Sequence, residues 1–143
     1  MIDEKTYVKR VVIAGCRDYK NYEQAKEFID LCLLEIKNQD EVVIVSGGAS
    51  GADAIGERYA KENGMKVEKY PAEWKKYGRR AGPMRNEKMA KICDCVICFW
   101  DEESKGTKSM IDQAKKYGKQ VKIKIIEKCG RTKILPHFFV FGK

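Results

Sequence analysis

The chain has 143 residues, of which 43% are hydrophobic, and this content can close one core but not two. No apolar run reaches the roughly 18 residues that a membrane span requires, and the N-terminus lacks the apolar stretch of a secretory signal. We therefore expect a single domain over residues 1–143, with its core at about 8–126, in a soluble cytoplasmic protein without a membrane partner.

The formal net charge of +8 is concentrated in the second half of the chain. Residues 1–74 hold 11 Lys and Arg against 14 Asp and Glu, a net charge of −3, whereas residues 75–143 hold 18 against 7, a net charge of +11. This second half therefore favours anions. Nucleic acid, a phosphorylated small molecule and ordinary solubility are three explanations that the charge alone leaves open.

Six cysteines raise the question of disulfides or of a metal site. Four of them lie within apolar segments, which favours reduced, buried thiols: Cys32, Cys93, Cys95 and Cys98. Alternation along a strand is expected to place Cys98 on the face opposite Cys93 and Cys95. Three cysteines divided in this way do not converge on one ion, so we expect no metal and no cofactor.

Apolar runs alternate with amphipathic stretches along the first half of the chain. The predicted order is a strand at 8–14, a helix at 22–37, a strand at 42–45, a helix at 52–63 and a strand at 65–70. This alternation is typical of strands that run parallel to one another and are joined by helices.

Residues 71–82 interrupt the alternation with a proline, two glycines, two aromatic residues and four cations, which predicts a functional loop. After it we predict a helix at 83–92, a fully buried strand at 95–100, a helix at 106–117 and a strand at 121–126. Lys122 and Lys124 alternate with apolar residues, so this last strand is expected at the sheet edge. The tail, 127–143, carries no predictable element.

Five strands joined by helices predict an α/β fold, namely a Rossmann-like, doubly wound and mostly parallel five-stranded sheet with helices on both faces. In such sheets ligands bind beyond the carboxyl ends of the strands, where the strand order reverses. Three loops leave strands at that edge: Gly15–Tyr19, the segment 46–53 and the segment 100–107.

The segment 46–53, SGGASGAD, is the strongest local signal, because it leads from an apolar strand into a helix. We predict that its bare amides converge on a phosphate at the helix N-terminus. Its glycines remove Cβ atoms and its serines add hydroxyl groups: Gly47, Gly48 and Gly51, with Ser46 and Ser50. The alternative is a glycine-rich turn that serves tight packing only.

The other loops offer further polar groups. Arg17 can donate two hydrogen bonds to a phosphate, and Asp18 or Asp53 can accept hydrogen bonds from ribose hydroxyls. Alternatively, Asp18 can stabilise its own turn and Asp53 the start of its helix. Gly106 and Thr107 open the last helix with another set of amides. They complete a predicted ligand site with Asp101, in the loop after the fourth strand.

A helix start behind the loop 71–82 adds a side-chain clamp, Arg85 and Asn86, and we expect Arg80 to reach the same site. Tyr19 and Trp100 can stack on a base or, as aromatic residues at strand ends usually do, pack against helices. The only histidine lies in the tail, and no lysine of the P-loop type follows the glycine turn. No catalytic residue is assigned.

Four blocks of sequence, in this order, resemble the SLOG superfamily, and in particular its YspA-like branch. They are GCRDY at 15–19, SGGASGADAIGERYA at 46–60, GPMRNEKMA at 82–90, and FWD with KGTKSMIDQA within 99–114. The resemblance implies a Rossmann-like domain that senses or processes a nucleotide or a nucleotide-derived ligand such as ADP-ribose. It also implies a homodimer that pairs through helices.

Two branches of the superfamily define the alternative functions. Phosphoribohydrolases of the LOG type cleave the N-glycosidic bond of nucleoside monophosphates; Arg85, Gly106 and Thr107 match their motifs, but Met110 stands at the position of their glutamate. DprA-type DNA-processing proteins share a turn similar to 46–53 and bind single-stranded DNA. Here Trp74, Tyr77 and the cations between and after them offer a stacking platform for such a strand.

Overall fold

Six strands form one sheet in the computed structural model of the chain, which describes residues 8–34, 36, 41–127 and, without side chains, 137–141. The strands are β1 Val8–Gly15, β2 Glu41–Ser46, β3 Lys66–Lys69, β4 Cys95–Trp100, β5 Gln120–Ile125 and β6 His137–Phe141. The five predicted strands, β1 to β5, are confirmed and run parallel. The tail adds β6, which pairs antiparallel with β5.

The order of the strands is β3-β2-β1-β4-β5-β6, so the direction of winding reverses between β1 and β4. The predicted edge position of β5 is wrong, because β5 lies between β4 and β6. Its two lysines are half-buried rather than solvated on an edge, and Lys122 Nζ donates to the carbonyl of Cys32 at 3.1 Å. The alternation of these lysines with apolar residues therefore arises because one face of β5 is only partly covered by other parts of the protein.

Five α-helices join the strands. They are α1 Tyr22–Cys32, α2 Ala52–Glu62, α3 Trp74–Tyr77, α4 Ala81–Ile92 and α5 Lys105–Lys116. α1 ends before the predicted boundary, because Leu33 already leaves the helical conformation and caps the last turn. The predicted loop 71–82 is largely helical: α3 leads into a 3₁₀ turn, Gly78–Arg80, which continues directly into α4.

The core lies on both faces of the sheet, as the doubly wound prediction requires. α1 and α2 cover one face over Ile13 and Ile97, and α4 and α5 cover the other over Val12 and Val96. These four side chains are fully buried, and burying such a side chain stabilises a fold by about 1.5–3 kcal/mol. The carboxyl ends of β1 and β4 are thereby held rigidly beside each other.

The cysteines divide between the two faces differently from the prediction. Cys95 faces α1 and α2, whereas Cys93 and Cys98 both face α4 and α5. Cys93 caps α4 instead of continuing the strand, and its Sγ donates to the carbonyl of Ala90 at 3.6 Å. Within the described residues no group of three or more His, Cys, Asp or Glu could hold a metal ion.

Among the described helices, none combines the length and the apolar character needed to cross a membrane.

Candidate functional site

A first cleft, of about 530 Å³, opens where the strand order reverses, beyond the carboxyl ends of β1 and β4. Its walls come from the loop after β1, the glycine turn and α2, α4, and the loop that leads into α5. Cavities of this size hold small-molecule ligands. The cleft brings together these residues of the predicted site: Gly15, Arg17, Asp18, Asp53, Arg85, Asn86, Asp101, Gly106 and Thr107.

A second cleft, of about 370 Å³, adjoins the first. Four residues line both clefts, and we call them the ridge: Arg17, Ala49, Trp74 and Arg85. Three further residues of the predicted site line only this second cleft: Gly47, Gly48 and Ser50. The predicted site is therefore divided into two adjacent compartments rather than gathered in one.

The buried hydroxyl of Ser46 helps to fix the conformation of the glycine turn 46–53. Its side chain is fully buried, and its hydroxyl donates to Glu57 Oε2 at 2.7 Å. The same hydroxyl oxygen accepts from the amide of Gly48 at 3.0 Å. The prediction of a bare amide at Gly48 is wrong, because the turn supplies its own acceptor.

Two more amides of this turn have partners within the protein. The amide of Ala49 donates to Asp53 Oδ2 at 3.1 Å, and the amide of Ala52 donates to the carbonyl of Cys16 at 3.2 Å. Gly51 allows the second bond, because its φ is +74° and a Cβ there would overlap the carbonyl oxygen of Cys16. The turn thus joins α2 to the loop after β1 and places Asp53 at the cleft, and the amides of Gly48, Ala49 and Ala52 are used within the protein.

Arg85 reaches from α4 to the glycine turn. Its Nη1 donates to the carbonyl of Gly47 at 2.8 Å, and its Nε donates to Asn86 Oδ1 at 2.9 Å. A Cβ at Gly47 would overlap this guanidinium, so only glycine permits the approach. Burial lowers the pKa of Arg85; the carboxylate of Asp53 opposes this shift and the neighbouring Arg17 adds to it.

The loop after β4 organises the start of α5. Asp101 accepts hydrogen bonds from the amides of Glu103 at 2.9 Å and Ser104 at 2.8 Å. Burial acts to raise the pKa of Asp101, but these amide hydrogen bonds outweigh it and the pKa lies below the usual value. The Ser104 hydroxyl caps the helix by accepting from the amide of Thr107 at 3.3 Å. An ionised carboxylate and a helix N-terminus thus stand side by side at the cleft.

The pKa of Asp53 is shifted in the direction opposite to that of Asp101. Its side chain is only 7% exposed, and burial raises its pKa from 3.8 to about 6, although the amide of Ala49 and the charge of Arg85 oppose the shift. Because the folded-state pKa is the higher one, ionising Asp53 costs stability as the pH rises from about 4 to about 6. Above that range the full cost, roughly 3 kcal/mol, is present.

We therefore expect Asp53→Asn to gain stability relative to the parent protein as the pH rises. Between pH ~4 and pH ~7.5 the difference in unfolding free energy should shift by up to about 3 kcal/mol in favour of the variant. Urea unfolding of both proteins at several pH values measures this shift. Asp112→Asn, an exposed change on α5, is the control, and a difference between Asp53→Asn and the parent that does not change with pH would contradict the expectation.

The two aromatic residues predicted near the site are packing residues. Tyr19 is buried, its ring stacks on Phe99 with 5.0 Å between the centroids, and its hydroxyl donates to Gln24 Oε1 at 2.6 Å. Trp100 Nε1 donates to the carbonyl of Ser104 at 3.1 Å. Both side chains donate hydrogen bonds within the protein, which favours the packing alternative for them.

Trp74 is the aromatic residue that the predicted site lacked. It lies on α3, is 50% exposed and lines both clefts. Gly82, in the first turn of α4, approaches the indole ring so closely that a Cβ there would lie 3.1 Å from it. Arg80, which we predicted to reach the site, is exposed on the 3₁₀ turn and lines neither cleft.

Other residues that line the first cleft had not been assigned to the predicted site. Ser104 had a local signal, because serine directly before a helix is a preferred cap. Ser109 had none: it reaches the site only because α4 and α5 lie together, where its Oγ accepts from Asn86 Nδ2 at 3.2 Å. Cys16 also lines the cleft, and burial raises the pKa of its thiol. A protonated thiol is a weak nucleophile.

Fold and site together define a Rossmann-like α/β protein with a cleft at its topological switch point. The chain belongs to the YAcAr family, the YspA, cpYpsA-related SLOG family, whose model matches residues 9–77. It is 32% identical over 118 residues to the Gene 61 protein of Mycobacterium phage D29, which covers 78% of this chain and 92% of the phage protein.

The fold is also similar to a crystal structure of DNA processing protein A, DprA, from Streptococcus pneumoniae. The TM-score is 0.60 and the sequence identity 23%, over 80% of this chain and 49% of that one. This chain therefore spans about half the length of the DprA chain. The similarity confirms the Rossmann-like architecture predicted from the sequence.

Proposed function

We propose that this protein binds a nucleotide or a nucleotide-derived ligand at the C-terminal edge of the sheet. The observation that carries the proposal is the composition of the first cleft at the strand-order reversal. Arg17 and Arg85 suit the oxygens of a phosphate, and so do the amides of Lys105 and Gly106 in the first turn of α5, which lack intrahelical acceptors, whereas that of Thr107 is already capped by Ser104. Asp18 and Asp101 suit ribose hydroxyls, which are hydrogen-bond donors.

The mixture of charges narrows the class of ligand. A cleft built for a bare anion would not carry three carboxylates on its wall, yet Asp18, Asp53 and Asp101 all line this one. A nucleotide satisfies both signs, because it joins a phosphate to a sugar that donates hydrogen bonds. The exposed indole of Trp74 at the same cleft offers a face on which a base can stack.

Calorimetry and thermal unfolding test the proposal with AMP, GMP, CMP, UMP, ribose 5-phosphate and ADP-ribose. At least one of them should stabilise the protein, by about 2.7 kcal/mol when its concentration is a hundred times Kd. Lys61→Ala, in the last turn of α2 and so at the far end of that helix from the cleft, should bind with the affinity of the parent protein. Failure of every compound to bind would refute the proposal.

A second candidate function is N-glycosidic cleavage of nucleoside monophosphates. Met110, at the position of the glutamate in the LOG-type motif, is buried against the first cleft, so the missing carboxylate must come from elsewhere. Asp101, ionised and on the neighbouring loop, is the candidate replacement. Incubation of the protein with the four monophosphates should release free base if this function holds, and Asp101→Asn should abolish the release. Release equal to a protein-free blank excludes it.

Single-stranded nucleic acid is a third candidate, and one surface favours it. Four cations on α3 and the 3₁₀ turn are exposed beside Trp74: Lys75, Lys76, Arg79 and Arg80. Affinity for a single-stranded oligonucleotide should then fall steeply as salt is raised, and the Arg79→Ala, Arg80→Ala double variant should reduce the slope by about 1–2. Absence of a complex at low salt excludes single-stranded nucleic-acid binding.

The homodimer that the family resemblance implies stays a prediction, which light scattering can check.

A further inference from the structure

The segment 71–80, between β3 and α4, contributes Trp74 to the walls of both clefts. We infer that this segment is a lid, which opens as a unit while the sheet stays intact and which closes on a ligand in the clefts. The indole of Trp74 is the latch that holds the lid on α4. Opening of the lid is a property of the free protein, and only its closing on a nucleotide rests on the proposed function.

No residue of the lid is buried. Ala72 and Tyr77 are half-buried, and the other eight residues of the segment are exposed. The two flanks are anchored, because Ala81 is only 2% exposed and the amide of Tyr70 donates to the carbonyl of Ser46 at 2.8 Å. Segments that bury few apolar groups open locally at a small cost in free energy. The lid therefore ends where burial and sheet hydrogen bonds begin.

The hydrogen bonds of the lid are local. The amides of Lys76 and Tyr77 donate to the carbonyl of Glu73 at 3.1 Å and 3.0 Å, and the amide of Gly78 donates to the carbonyl of Trp74. In the part of the chain that the structure describes, no hydrogen bond or ion pair joins a side chain of the lid to a residue outside the lid. Opening of the lid therefore breaks no hydrogen bond of the sheet.

The contact between Trp74 and Gly82 latches the lid to α4. Gly82 is buried, and a Cβ there would lie 3.1 Å from Cη2 of the indole, so the ring rests directly on the helix backbone. Elsewhere α3 is undercut by a cavity of about 180 Å³, which Tyr77 and Met84 line from opposite elements. Because protein interiors are close-packed, a cavity at this place marks a loose contact between α3 and α4.

A ligand in the clefts supplies the contacts that the free lid lacks. The indole of Trp74 lines both clefts, so a ligand in either one lies against the latch. The lid also carries four cations against one carboxylate, Glu73, a net charge of +3 that attracts an anionic ligand. Occupancy of the clefts is therefore coupled to closure of the lid.

Hydrogen exchange of the free protein, followed by mass spectrometry, tests the latch. The amides of Lys76, Tyr77 and Gly78 should exchange at least tenfold faster in Trp74→Ala than in the parent protein, whereas exchange within α4 should stay unchanged. Lys75→Ala, an exposed change in the same turn of α3, is the matched control and should exchange like the parent. Equal lid exchange in Trp74→Ala and the parent, or lid amides that exchange as slowly as those within α4, would overturn the inference.

The same measurement with the tightest compound of the nucleotide panel tests closure. Lid exchange in the parent protein should slow at least tenfold when the compound is bound. If a compound binds and leaves lid exchange unchanged, the inference fails and the proposed function stands. If no compound binds, the proposed function fails, and the difference between the parent and Trp74→Ala alone decides whether the segment is a latched lid.

Discussion

Replacing Arg85 by alanine should weaken nucleotide binding at least a hundredfold. The variant removes the one guanidinium that the glycine turn holds in place at the ridge, through its 2.8 Å hydrogen bond to the Gly47 carbonyl. Charge-assisted hydrogen bonds contribute about 1.5–3 kcal/mol each, and a loss of about 2.7 kcal/mol corresponds to a hundredfold in Kd. Calorimetry with the tightest ligand of the panel measures the change.

Two comparisons make the Arg85 result specific. Arg85→Lys should recover only part of the affinity, because an ammonium group cannot reach the Gly47 carbonyl and a phosphate with the planar fork of a guanidinium. Lys61→Ala removes one positive charge far from the cleft and should leave Kd unchanged. Parent-like affinity in Arg85→Ala, with unfolding that shows an intact fold, would mean that the phosphate does not bind at the ridge.

Replacing Gly51 by alanine should cost about 2–6 kcal/mol of stability. Gly51 has φ of +74°, and a Cβ there would overlap the carbonyl oxygens of both Cys16 and Arg17. A conformation with φ of +74° and ψ of −126° alone costs a residue with a Cβ about 1–3 kcal/mol, because L side chains rarely adopt it. Forced overlap with backbone adds about 1–3 kcal/mol more, because the rigid ends of β1 and α2 cannot move apart freely. Urea unfolding measures the difference.

Gly64→Ala is the matched control for Gly51→Ala. Gly64 also has positive φ, +68°, but a Cβ there would meet no atom within 4 Å. Only the conformational cost remains, about 1–2 kcal/mol. Equal destabilisation by the two variants would show that the contact between the glycine turn and the loop after β1 does not hold the site together.

Local sequence was sufficient for the sheet, because the strands and helices carry periodic apolar patterns that do not depend on distant residues. Cys95 to Phe99 are buried, and the unbroken apolar character of 95–100 predicted a fully buried strand there. The apolar pattern of β5 could not predict its place in the strand order. Its neighbours follow from pairing with β6, a strand whose sequence lies in the tail and shows no clear element.

The sequence by itself determined the fold class, the edge of the sheet at which the first cleft opens, and most of the polar residues that line this cleft. Only the tertiary structure decided how those residues are used. Three amides of the glycine turn, those of Gly48, Ala49 and Ala52, are taken up by Ser46, Asp53 and Cys16, and Trp74 joins the site from a segment that looked like an irregular loop. The physical reason is that hydrogen-bond partners and cleft walls come from elements far apart in sequence, whereas periodicity and turn chemistry are properties of neighbouring residues.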